Sequence, residues 1–174
     1  MRTCLCVLTI AAAMLFVSCG KKSNEGEKAD TPKPAAFKLK EKAEYAPGEK
    51  EAGQVLAAYI TKDLALLKKY ASGMLKNTLD EKAMERPNDR ERIESWDGEI
   101  KAMRYGRDEI NFETVYYAYA CYKGDPATDE KVYTVTLKSK DRTTWAISIN
   151  PLGSMKSADF NGKSNALPEA EEEE

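Results

Sequence analysis

Between Gln54 and Leu75 apolar side chains recur at a helical interval. At about 100° per residue, Leu56, Ile60, Leu64, Leu67, Ala71 and Leu75 share one stripe, flanked by Val55, Tyr59, Leu66 and Tyr70. Asp63 falls in the middle of that stripe. Burying a lone carboxylate is costly. The pattern therefore predicts a helix over 51–61, a break near Thr61-Lys62, and a second helix over 64–71 capped by the Asp63 side chain. A functional, buried Asp63 is the alternative. Residues 77–96 are charged and weakly periodic around Pro87, and Asn88 or Asp89 can cap a last helix ending near Trp96, before Asp97-Gly98.

Beyond Gly98 the period becomes two. Strands are expected over 99–105 (closed by Gly106), 110–122, 131–138 and 143–150, the last ended by Pro151. Gly124-Asp125-Pro126 and Ser139–Arg142 supply turns, so neighbouring antiparallel hairpins are the economical topology. The expected fold is α+β, with N-terminal helices packed on a curved antiparallel sheet of four strands or slightly more.

Strand parity adds detail. Tyr133, Val135 and Leu137 oppose Thr134, Thr136 and Lys138, while Trp145, Ile147 and Ile149 oppose Thr144, Ala146 and Ser148. The odd face is the core face there. The second strand is apolar on both faces. With Val115, Tyr117, Tyr119 and Cys121 turned to the helices, Tyr116 and Tyr122 come to an outer surface, as a candidate contact for a protein partner or a second copy. Tyr70, Tyr117, Tyr119, Tyr133 and Trp145 are then candidates to line an apolar pocket for a small ligand.

Composition narrows the chemistry. Lys+Arg number 27 against Asp+Glu 29, which lacks the basic surplus of a nucleic-acid binder. The chain contains no histidine, which removes the usual general base and metal ligand. No catalytic residue, metal site or cofactor is expected. An isomerase-like reaction would need an Asp base and a Tyr donor in one dry pocket, and Asp63 is the only candidate carboxylate.

The N-terminus reads as an export signal. Met1-Arg2 is a short basic start, and the uncharged run 4–17 spans roughly 21 Å as a helix, too short for a hydrocarbon core of about 30 Å. The sequence Leu15-Phe16-Val17-Ser18-Cys19-Gly20 resembles the lipobox of bacterial lipoproteins, with Phe16 where Leu is commoner. The resemblance implies that residues 1–18 are a signal peptide, that Cys19 is acylated, and that the chain is held in the cell envelope through lipid. Gly20 in place of an inner-membrane retention Asp implies the outer membrane. Cys4 and Cys6 leave with the signal, so Cys121 remains as a small buried hydrophobe. Residues 19–50 read as the lipidated Cys and a disordered tether with a reach of about 30 Å. The α+β domain is expected over 51–153, and an acidic, disordered tail over 154–174.

Two segments carry a second resemblance: Gln54-Val-Leu-Ala-Ala-Tyr-Ile-Thr-Lys-Asp-Leu-Ala-Leu-Leu-Lys-Lys-Tyr-Ala, and Val135-Thr-Leu-Lys-Ser-Lys-Asp-Arg-Thr-Thr-Trp-Ala-Ile-Ser-Ile. Helices with a Lys-Asp break followed by an alternating strand, a polar turn and a Trp before the last strand resemble small bacterial lipoproteins with a nuclear transport factor 2-like (cystatin-like) domain of unknown function. The resemblance implies a cone-shaped fold. Its superfamily holds enzymes, such as ketosteroid isomerase and scytalone dehydratase, and many binding or dimerisation modules, so it transfers no activity.

Overall fold

Asp63 divides the helical stripe. In the computed structural model, which describes residues 38–80, 82 and 92–169, helix α1 (Glu49–Thr61) stops where Lys62 turns left-handed at φ 55°. Asp63 Oδ1 then accepts the Leu66 N–H at 2.9 Å and caps α2 (Leu64–Tyr70). Such a cap contributes about 1 kcal/mol. The break leaves Asp63 at the surface and lets Val55, Leu56 and Leu67 bury completely. A further short helix, α3 (Gly73–Thr78), buries Leu75, and Ala71 beside it forms an isolated parallel bridge with Ile147. At the other end of α1, Gly48 is the N-cap with φ 78°, and a Cβ there would stand 3.2 Å from the Trp145 ring. Only glycine meets both demands.

The sheet has strands β1 (Ala102–Ile110), β2 (Glu113–Lys123), β3 (Lys131–Ser139) and β4 (Ala146–Lys156), paired antiparallel in the order β1-β2-β3-β4. Two expected strand ends are corrected. Gly106 does not close β1; it pairs with Tyr117 inside the ladder, and the chain turns at Asn111-Phe112, with φ of 53° and 66°. Pro151 does not end β4. This is an edge strand, where a missing N–H is tolerated. The ladder is also irregular beside it, stepping from Leu137↔Ile147 to Val135↔Leu152.

Register decides the faces. Ala118 pairs with Leu137, and Ala120 with Val135, so the even side of β2 shares the core face of β3. Tyr116, Ala118, Ala120 and Tyr122 therefore lie under the helices, against Leu56, Leu67, Trp96, Trp145 and Ile147. Ile149 lies outside the described side chains. The expected outer placement of Tyr116 and Tyr122 is overturned: they are 6% and 3% exposed. The small Ala118 and Ala120 give the large neighbours room. On the opposite face Cys121 and Val132 form a second apolar cluster with Phe160, which comes from α4 (Ser157–Asn161).

Both expected domain limits also move. Past residue 153, β4 and α4 continue the fold, Tyr105 N–H bonds to Ser164 O at 2.6 Å, and Leu167 packs on the main core. Before residue 51, Lys40 N–H bonds to Gly98 O at 2.7 Å, Leu39 packs beside Gly53, and Lys42 Nζ meets the buried Glu49 carboxylate at 2.5 Å. A disordered reading is thus overturned for 38–50 and 154–169. Apolar anchors as sparse as Leu39 and Phe160 leave no periodicity to read. Cys19 with the rest of residues 1–37, Asn88, Asp89 and residues 170–174 lie outside the described residues. No helix of the described residues is long and apolar enough to cross a membrane.

Candidate functional site

The five aromatics expected to share a pocket are divided by the sheet. Tyr117 and Tyr119 stand half-buried on the face away from α1–α3, their rings stacked at 6.1 Å and 23°. Lys163 covers Tyr119, with Nζ 4.7 Å from the ring centre. Tyr70 packs at the edge of the helical core and donates its hydroxyl proton to Gln54 Oε1. Tyr133 packs on Tyr122 at 6.4 Å, with the Arg92 guanidinium 4.8 Å from its ring centre. Trp145 lies against Tyr105 at 6.3 Å, only 4% exposed. Trp145 and Tyr133 serve the core that the helices cover, while Tyr117 and Tyr119 look the other way. Asp63 is spent as a surface cap and offers no base to a dry interior.

A different constellation stands at the end of the sheet that carries the β1–β2 and β3–β4 turns. A cleft of about 430 Å³ is lined there by Ser72, Gly73, Val115, Lys138 and the turn residues Ser139–Asp141 with Thr144 and Ala146. That volume is within the range of small-ligand sites. Lys138 pairs with Ala146 across the β3–β4 ladder, so the two share a face, and Val115 belongs to the same outer side of β2. The floor is therefore apolar and the rim cationic. Gly73 adds to the opening: it has φ 56°, and a Cβ placed on it would meet nothing within 4 Å.

The rim is held by its own turn. Asp141 Oδ1 accepts the N–H groups of Thr144 at 2.6 Å and Thr143 at 2.9 Å, and the Ser139 hydroxyl at 2.9 Å. These bonds, led by the Thr144 N–H, hold its carboxyl well below the usual carboxylate range. Asp141 is thus a fixed anion committed to the loop. Lys140 Nζ bonds to the Glu113 carboxylate beside the β1–β2 turn. A second hollow, about 780 Å³, lies at the opposite end beside Glu130, Lys131, Met155 and Lys156. It sets Asp129 and Glu130 among Lys131 and Lys156, whereas the first cleft carries two lysines and a single carboxylate, Asp141, committed to its own loop.

The sequence reading did not identify the cleft. Its only linear trace is the polar Ser139–Arg142 turn that follows Lys138, which reads as a hairpin loop. Val115, Ala146 and Gly73 come together only through the register and the Ala71↔Ile147 bridge.

Two buried groups set an alkaline limit on the scaffold. Burial, with the Glu49 charge second, pushes the Tyr105 phenol from its ordinary 10.0 to about 12, and burial pushes the Cys121 thiol from 9.0 to about 11. Unfolded, both lose their protons at the ordinary values, while the folded chain still holds them. Stability from these groups is therefore complete below pH about 9 and is lost as pH rises through about 11 to 12. Thermal melts over that window should show a falling midpoint; a flat profile would contradict the burial of both groups.

Comparison with family models, curated proteins and solved structures gives no match.

Proposed function

We propose that this chain is a lipid-anchored binding module of the bacterial cell envelope, held through acylated Cys19 in the outer membrane, which recognises its partner without chemistry at the cleft beside the hairpin. We further propose that its helices and antiparallel sheet follow the nuclear transport factor 2-like plan. The helix pair with its Asp63 break, and the alternating last hairpin, support that plan.

The observation that carries the reading is the polarity of the described unit. Lys38–Lys40 enter beside Gly98, at the start of β1. Nine residues of β1 then lead away to Ile110 and the cleft end, a run of roughly 30 Å at strand rise. The described unit is thus entered at Lys38, at the opposite end of the sheet from the cleft. The apolar floor with Lys138 and Lys140 suits a ligand with an apolar body and an anionic group.

Two measurements test this reading. Palmitate labelling and membrane fractionation should be lost in Cys19→Ser; unchanged labelling sinks the anchor. The unacylated chain from Gly20 onward should bind anilinonaphthalenesulfonate, an apolar anion, and Lys138→Glu should weaken that binding about tenfold or more, the worth of one charged hydrogen bond. Equal binding by both chains sinks the cleft.

A further inference from the structure

We infer that the β1–β2 hairpin tip and the cleft are the two halves of one self-complementary surface, and that the cleft's partner is the hairpin of a second copy of this chain. The inference rests on the binding-module reading and names the occupant of the same cleft.

The tip is built at a cost to the fold. Asn111 and Phe112 occupy the two central positions of a tight hairpin turn, both at positive φ. Asn suits the first position, and glycine is the residue the second favours. Phe112 holds it instead, with its ring fully exposed at 105%. A bulky residue kept in the left-handed region without internal packing marks a place where something outside the fold uses it.

Its surroundings say what that something is. The large apolar side chains exposed among the described residues are Phe112, Ile110 at 42% and Met74 at 69%. Ile110 pairs with Glu113 and shares the outer face of Val115, and Met74 follows the cleft residue Gly73. Projecting patch and apolar hollow thus lie at one end of the molecule. Phe112 cannot fill its own cleft, because three residues of extended β2 hold it about 10 Å from Val115. A neighbouring copy has no such constraint.

Charge does not oppose the pairing. Glu113 is already paired with Lys140, and Glu109 with Arg107, within one copy; the apolar residues make the contact, with Asp108 on the outer face of the hairpin and Lys138 on the cleft rim. Because tip and cleft are contiguous, a two-fold axis between copies fills both clefts at once, and the contact closes on itself. Each ring brings on the order of 200 Å². Two rings with Ile110, Met74 and the facing cleft walls reach about 1,000 Å², the lower bound for a specific interface. Such a contact is weak in dilute solution and favoured when lipid confines the copies to one surface.

The experiment uses the full acylated chain in detergent, with protein mass per particle read by light scattering over a concentration series. Wild type should rise from one copy to two. Phe112→Gly should remain single throughout, with a melting temperature no lower than wild type, because glycine accepts the backbone angle. Phe112→Asn, which also tolerates that angle, should behave alike, and Lys138→Glu should shift the midpoint to higher concentration. Wild type remaining single at every concentration overturns the inference. So does a dimer that survives Phe112→Gly, or a Phe112-dependent attachment to lipid vesicles in place of dimerisation. Each of these three failures leaves palmitate labelling and anilinonaphthalenesulfonate binding to decide the wider reading on their own.

Discussion

Ala118→Glu should abolish cooperative folding, while Tyr117→Glu, one residue earlier, should leave a folded chain. Ala118 is fully buried in a row that runs Tyr105, Ala118, Leu137 across three strands. A glutamate there overfills a packed layer and places a carboxylate among apolar neighbours without a partner. Breaking into a core in this way costs several kcal/mol, against a total stability of about 5–15 kcal/mol for a domain. Tyr117 points to the other face and is half-buried, so its replacement loses ring contact with Tyr119 and some area, at about 1 kcal/mol. Circular dichroism and thermal melts of both chains decide the matter. If the two variants melt alike, the face assigned to β2 is wrong, and the buried placement of Tyr116 and Tyr122 falls with it.

Phe160→Ala should cost about 3–5 kcal/mol, the usual range for a fully buried aromatic. For a domain of this size that is a drop of roughly 10–20 °C in melting temperature. Phe160 is 0% exposed and closes the small cluster over Cys121 and Val132. It also fixes α4, whose continuation meets the β1 edge through Ser164 and Tyr105. Cys121 reports its loss directly. Burial keeps the wild-type thiol protonated at neutral pH, so a thiolate-trapping disulfide reagent should react slowly with the native chain and faster with the variant. An unchanged melt and unchanged thiol kinetics would show that the C-terminal segment does not pack where the structure puts it.

Strongly periodic features were legible before any coordinates. The helix pair and its break follow from one misplaced charge, because Asp63 has no cheap place in an apolar stripe and a helix N-terminus offers it one. The odd core face of β3, and Trp145 with Ile147 beneath the helices, follow from alternation alone. Those signals are local: each residue's neighbours in sequence are its neighbours on the element.

What failed was non-local. β2 is apolar on both sides, so its own pattern cannot say which side meets the helices; only the pairing of Ala118 with Leu137 does. Gly106 and Pro151 carry the usual signs of strand ends, yet a ladder partner keeps the first in a strand and an edge position tolerates the second. Phe112 hides its turn because the hairpin uses a residue that the turn disfavours.

The sequence by itself determined the class of elements, their order, the helix break and the core side of β3, since each rests on periodicity and on the cost of burying charge. Only the tertiary structure decided which face of β2 is inside, that residues 38–50 and 154–169 belong to the fold, and that Gly73, Val115, Lys138 and Ala146 share one cleft. Register and docking of distant segments set these things, and a lone strand carries no record of the partner it will meet.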